Sequence, residues 1–122
     1  MDDVAFYESL GPWATQRAVR DTLGVDDAAL DSMRESHRLL AVRFGGDLYY
    51  PLPQFTGGRV IAGLEPVLIA LSAGFTSPEA QAAWFAEPAY EDDARTRWQV
   101  LGDGDGSDVV RWAGIDAAAV RR

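Results

Sequence analysis

The single histidine, His37, is the first residue to test for chemistry, because an imidazole can act as a base or bind a metal. Both roles need partners: a nucleophile beside the base, or further His, Cys or carboxylate ligands around the metal. The sequence has no cysteine and no second histidine. His37 also follows Leu30 and Met33 at helical spacing, which predicts a place on an apolar helix stripe. We therefore expect no catalytic residue, no metal site and no cofactor, and hence no enzyme.

A second candidate is the segment Asp103-Gly104-Asp105-Gly106-Ser107-Asp108, which begins like a calcium-binding loop. An EF-hand loop needs Gly at its sixth position and a bidentate Glu at its twelfth. Asp108 and Gly114 hold those two positions here. A turn followed by a helix cap explains the same residues, so we expect no calcium ion.

Carboxylates crowd the segment around Tyr90. Paired carboxylates act as general acids and bases only in a dry pocket that raises a pKa. On a polar loop they are expected to be solvated, and their charge then complements a basic partner surface and speeds association. The aromatic residues flanking the loop are either interface anchors or core residues. The candidate contacts with a protein partner are Tyr90, Glu91, Asp92, Asp93, Arg95 and Trp98.

All eleven basic residues are arginine, and nineteen acidic residues leave a formal net charge of −8. A chain of this charge is repelled by phosphate backbones as a whole, although a local basic face remains possible. Most of the arginines in the first half have an acidic residue three or four positions away, which favours solvated ion pairs on helix surfaces. The candidate DNA contacts are Arg17, Arg20, Arg34, Arg38 and Arg43.

The composition indicates a globular protein, since 48% of the 122 residues are hydrophobic and four are tryptophan. This length fits one domain, or two small lobes that share a core. The acidic start at Asp2 and Asp3 is atypical of a signal peptide, and the most apolar run, residues 66–71, is too short to cross a bilayer. Together with the lack of cysteine, this predicts a soluble, cytoplasmic protein with no membrane partner.

Local signals in the first half predict a helix–turn–helix followed by a hairpin. Gly11-Pro12 is expected to open the first helix and Gly24 to end it. Asp26 is a natural N-cap for a second helix, which is expected to run to about Arg38. Two β-rich runs flank Gly45-Gly46 and predict a hairpin. This is the element order of a small winged-helix lobe.

Signals in the second half predict helices only. Four leucine and valine positions, spaced i, i+3, i+4 and i+7 from Leu64, predict one helix, and Ser77-Pro78-Glu79 predicts the start of another. A short helix over 95–101 and a final helix broken by Gly114 complete the pattern. The expected fold is mainly α, with a winged-helix-like lobe over 1–56 and an α-helical lobe over 57–122.

Short motifs in a fixed order extend over nearly the whole chain. They include Gly11-Pro12-Trp13, Leu39-Leu40-Ala41-Val42-Arg43, Leu48-Tyr49-Tyr50-Pro51, Gly58-Arg59-Val60, Ala83-Trp84-Phe85, Arg95-Thr96 and Gly102-Asp103-Gly104. In order and spacing they resemble the Xre/MbcA/ParS-type toxin-binding domain of antitoxins, behind an excisionase-like helix-turn-helix.

The resemblance implies an antitoxin-like protein that neutralises a cognate toxin, typically of the RES type, by covering its active-site entrance with the C-terminal helices. It also implies a homodimer, and operator DNA as a second partner of the N-terminal lobe. Two alternatives stay open: a DNA-binding transcriptional regulator with a degenerate helix-turn-helix, and an orphan interaction module without a toxin.

The sequence departs from the family pattern at the second helix, which opens as Asp26-Asp27-Ala28-Ala29-Leu30-Asp31. A recognition helix presents its first residues to base edges, close to the phosphates. Three carboxylates there add repulsion where Arg or Asn would add contacts. A second departure, Arg97-Trp98, replaces the family's usual Pro and aliphatic residue. The acidic helix start favours a protein partner over DNA.

Overall fold

This computed structural model describes residues 3–89 and 94–121, which form seven α-helices and five short strands. None of the described helices is long and apolar enough to cross a membrane. The elements are α1 (Asp3–Leu10), β1 (Trp13–Thr15), α2 (Gln16–Leu23), α3 (Asp27–Glu35), β2 (Val42–Phe44), β3 (Asp47–Pro51), a 3₁₀ turn (Leu52–Gln54), β4 (Phe55–Thr56), β5 (Arg59–Val60), α4 (Leu64–Ser72), α5 (Pro78–Ala86), α6 (Arg97–Gly102) and α7 (Gly106–Arg121).

Side-chain caps set the limits of α2 and α3. The Thr15 hydroxyl accepts a hydrogen bond from the Ala18 N–H in the first turn of α2, and Gly24 ends this helix with a φ of 69°. The Asp26 carboxylate caps α3, as predicted. The expected helix start at Gly11-Pro12 was wrong, because residues 13–15 pair with β3 as a strand before the helix begins.

The end of α3 lies earlier than the sequence predicted. His37 has a φ of 61°, a left-handed conformation that stops a helix. The N–H groups of His37 and Arg38 turn back to the carbonyls of Arg34 and Met33, at 3.2 and 2.8 Å. The helix therefore ends at Glu35, and His37 is exposed instead of lying on the apolar stripe.

Strands β1, β3 and β2 form an antiparallel sheet in that order. The predicted hairpin is confirmed: Gly45 and Gly46 make its turn with φ values of 62° and 91°. On one face of the sheet Ala14, Leu48 and Tyr50 pack with residues of α2 and α3. Strands β4 and β5 form a separate small hairpin.

The main core lies among the C-terminal helices. Buried residues of α4, α5, α6 and α7 fill it, and Leu10, Leu40 and Val42 reach it from the first half of the chain. The rings of Phe85 and Trp98 stack at its centre, with 3.9 Å between their centroids. The predicted helix at 64–71 and the Ser77 cap are both confirmed. The described chain is thus mainly α with small antiparallel sheets.

Helix α7 continues through Gly114, where the sequence predicted a break. A glycine inside a helix costs only about 1 kcal/mol. Burial of Val109, Ala113 and Ala117 against the main body of the protein offsets that cost on both sides of the glycine.

Candidate functional site

A polar network joins α2, α3 and β3. The Tyr50 hydroxyl donates to Gln16 Oε1 at 2.5 Å, and it accepts a hydrogen bond from the Arg34 guanidinium at 2.5 Å. Arg34 is also ion-paired with Asp31, and its side chain is only 21% exposed. Arg34, predicted as a contact to DNA, therefore has its donors engaged within the protein.

The same network also pairs a second arginine, Arg20, with the Asp27 carboxylate. Gln16 donates from Nε2 to Asp27 Oδ1 at 3.0 Å, and the Nε of Arg20 lies 3.4 Å from that carboxylate. Both partners are more than a third exposed, so the ion pair contributes little to stability. Its consequence is electrostatic, because a paired guanidinium attracts an external phosphate less strongly.

The other predicted DNA contacts lie on different elements. Arg17 is exposed on α2, Arg38 donates to the Ser36 hydroxyl at 2.8 Å, and Arg43 donates to the Gly46 carbonyl at 3.1 Å within the hairpin. The exposed side of α3 carries carboxylates, at Asp27, Asp31 and Glu35. The structure therefore does not bring the five arginines together on one unpaired basic face.

Burial raises the pKa of Tyr50 above its ordinary value of 10.0, and the nearby Arg34 opposes the shift. Because the unfolded chain loses this proton first, the stabilising contribution of Tyr50 is present below pH 10 and falls as the pH rises above 10. We expect an alkaline phase in the tyrosinate absorbance titration that disappears in Tyr50→Phe. If Tyr50→Phe still showed the titration phase at the highest pH, that phase would not belong to Tyr50.

The predicted contacts with a protein partner are divided between described and undescribed parts of the chain. Tyr90, Glu91, Asp92 and Asp93 lie outside the described residues. Trp98 is 4% exposed and belongs to the core, one of the two roles its type predicted. The Arg95 guanidinium lies 3.0 Å from Asp103 and 3.9 Å from Asp105.

A cleft between α6 and the β4–β5 hairpin brings Arg95 and Trp98 to one place. It has a volume of about 420 Å³, and Phe55 and Thr56 line its opposite side. The walls combine charged, polar and aromatic groups. We refer to it as the α6 cleft.

Of the three carboxylates in the segment 103–108, Asp103 lines this cleft, and Asp108 pairs with Arg111 on α7. Asp103 and Asp105 pair with Arg95, and Gly106 already begins α7. Among residues 3–89 and 94–121 there is no group of three or more His, Cys, Asp or Glu side chains that could hold a metal ion.

Trp84, Arg97 and Asp116 form a cluster that the sequence did not predict. The Arg97 guanidinium lies 4.4 Å from the centre of the Trp84 ring and donates to the Trp84 carbonyl at 2.8 Å. The Trp84 indole donates to Asp116 at 2.8 Å. These contacts join α5, α6 and α7, and no local pattern signals them because their members are far apart along the chain.

No protein-family model and no curated protein matches this sequence. Among solved structures the chain is similar to the NMR structure of Rv2175c, with a TM-score of 0.74 and 26% sequence identity. The similarity covers 88% of this chain and 82% of that one, so it extends across both halves of the fold.

Proposed function

We propose that this chain is an antitoxin-like protein that binds and neutralises a cognate toxin in the cytoplasm. Its first half, with α2, α3 and the β2–β3 hairpin, is a winged-helix lobe in this proposal. Its helical second half covers the entrance to the active site of the toxin, which the family resemblance suggests is of the RES type. A homodimer is part of the same proposal.

The observation that carries the proposal is the α6 cleft. The two described partner candidates, Arg95 and Trp98, contribute to the same cleft, and the acidic segment 91–93 lies just before it in the sequence. A chain with a net charge of −8 favours a partner with a basic surface. Trp98 is a core residue, so direct contacts with a partner would come from Arg95 and the half-buried Phe55, and arginine and aromatic side chains often contribute a large share of binding energy.

The α2–α3 network supports a protein partner over DNA. Two of the candidate arginines, Arg20 and Arg34, are paired within the protein, and the exposed side of α3 is acidic. DNA affinity depends on cations that displace counterions from phosphates. A helix with this surface has few such cations.

DNA binding remains a second candidate, because the α2–α3 pair and the adjacent hairpin have the element order of a DNA-reading lobe. Arg17, Arg38 and Arg43 would supply its phosphate contacts. In that case, DNA would copurify at moderate salt and dissociate as the salt concentration rises.

The direct test is to purify the tagged chain from its own cells at moderate and at high salt. The proposal expects one near-stoichiometric protein that stops growth when it is expressed alone, and growth that recovers on coexpression of this chain. Retention of DNA without a protein partner would support the second candidate instead.

Filling the α6 cleft is expected to weaken neutralisation. Thr56 is exposed in β4, so Thr56→Trp adds a large ring to the cleft while leaving the core intact. We expect affinity for the toxin to fall by about tenfold or more, because the added ring occupies space that a side chain of the toxin would fill. Thr76→Trp, at an exposed position that does not line this cleft, is the matched control.

Both variants should keep the circular dichroism spectrum of the parent. Recovery of growth with Thr56→Trp as complete as with Thr76→Trp would exclude the α6 cleft as the docking site.

A further inference from the structure

We propose that the sheet face opposite α2 and α3 binds a small organic cation that carries a quaternary ammonium group. Side chains alternate between the two faces of a sheet. The pairing of Tyr49 with Thr15 and with Val42 places these three in one row across the strands. Trp13 is two residues before Thr15 in β1, and Phe44 is two residues after Val42 in β2, so both lie on the same face of the sheet.

Helix α1 makes this face into a groove. The Tyr7 and Phe44 rings are in contact, with 4.4 Å between their centroids, and the Trp13 indole donates to the Tyr7 carbonyl at 2.8 Å. With Tyr49, four aromatic residues line a volume of about 290 Å³. This is at the small end of ligand sites, which suits a small molecule. We call it the aromatic groove.

The charge of the aromatic groove favours a cation. The faces of aromatic rings are electronegative and attract a positive group within about 6 Å of the ring centre. Glu8, which is exposed, adds a carboxylate, and none of the described residues that line the groove is basic. The net charge of −8 adds a long-range attraction.

The kind of cation follows from hydrogen bonding. A primary ammonium carries three N–H donors and a guanidinium five, and each needs an acceptor once it leaves water. The Thr15 hydroxyl already accepts a hydrogen bond from the Ala18 N–H, and Trp13, Val42 and Phe44 offer no side-chain acceptor, so most of the lining is apolar. A quaternary ammonium donates no hydrogen bond, so aromatic faces and one carboxylate are enough for it.

This site shares no lining residue with the α6 cleft, and it does not depend on the proposed antitoxin function. The probe is choline, titrated into the isotope-labelled chain while the indole N–H signal of Trp13 is followed by NMR. Dimethylbutanol, the neutral carbon analogue of choline, is titrated in parallel. We expect saturable shifts with choline, and an affinity for the analogue that is lower by about threefold to thirtyfold.

Two variants test the groups that attract the cation. Phe44→Leu removes one ring face and keeps an apolar side chain, and Glu8→Gln removes the carboxylate; each is expected to weaken choline binding by about threefold or more. The matched controls are Phe75→Leu and Glu65→Gln, which lie outside both the aromatic groove and the α6 cleft and should leave the affinity unchanged.

Equal affinity for choline and dimethylbutanol would overturn the proposal and leave an apolar groove. Shifts that never saturate, or binding that is unchanged in both groove variants, would also overturn it.

Discussion

Gly74→Ala is expected to destabilise the protein strongly, although it adds only one methyl group. A Cβ atom at this position would lie 2.3 Å from the Ala117 carbonyl oxygen and 2.7 Å from its Cα. These are backbone atoms of α7, so no side chain can rotate away, and the end of α4 would have to separate from α7. Overpacking costs about 1–3 kcal/mol, and we expect about 3 kcal/mol or more here.

The matched control is Gly114→Ala. No atom lies within 4 Å of a Cβ there, and the residue is inside α7. Alanine should therefore stabilise the helix by about 0.5–1 kcal/mol. Urea unfolding of both variants measures the difference. If Gly74→Ala unfolded at the same urea concentration as the parent chain, the close approach of α4 and α7 would be wrong.

Gln54→Leu is expected to cause the second large loss of stability. Gln54 is fully buried, and its amide accepts a hydrogen bond from the Leu40 N–H at 2.9 Å. It donates to the carbonyls of Leu40 at 2.8 Å and Pro51 at 3.1 Å. Leucine has a similar size but cannot form a hydrogen bond with any of these three backbone groups. Each buried backbone group left unsatisfied costs about 1–3 kcal/mol, so we expect a total of about 3 kcal/mol.

Gln99→Leu provides the comparison for Gln54→Leu. Gln99 is exposed, and its side chain makes one bond of the capping box of α6. Loss of that bond should lower the free energy of unfolding by about 1 kcal/mol or less. Equal losses in the two glutamine variants would show that burial at Gln54 is not the cause. Thermal unfolding followed by circular dichroism provides the measurement.

Gln54 also fixes the position of the segment that joins α3 to β2. Leu39 and Ala41 belong to the core of the first half, while Leu40 and Val42 belong to the main core. This segment has no regular pairing before β2, and Gln54 supplies both backbone bonds of Leu40. A single buried side chain thus helps to hold the sheet against the C-terminal helices.

The paired state of the arginines bears on the choice between protein and DNA as the partner. Sequence spacing already indicated ion pairs on the helix surfaces. The structure contains the pair between Arg34 and Asp31, and it adds a pair between Arg20 and Asp27 that links two helices. The exposed pair between Arg20 and Asp27 adds little stability. Both pairs matter because they reduce the positive charge that remains to attract phosphates.

The sequence by itself determined those features that depend on neighbours within a few positions. Gly24 ends a helix because glycine adopts a positive φ without steric cost, and Asp26 and Ser77 cap helices because their side chains reach the next N–H groups. Gly45-Gly46 makes a hairpin turn for the same conformational reason. The helical stripe that begins at Leu64 needed only its own periodicity.

Tertiary structure alone decided the features that depend on residues far apart in the chain. Residues 13–15 became a strand because β3 offers them hydrogen bonds, and α7 passes through Gly114 because α4 packs along it. The α6 cleft and the aromatic groove also join distant segments. Local propensities differ by about 1 kcal/mol or less per residue, so a set of long-range contacts is enough to override them.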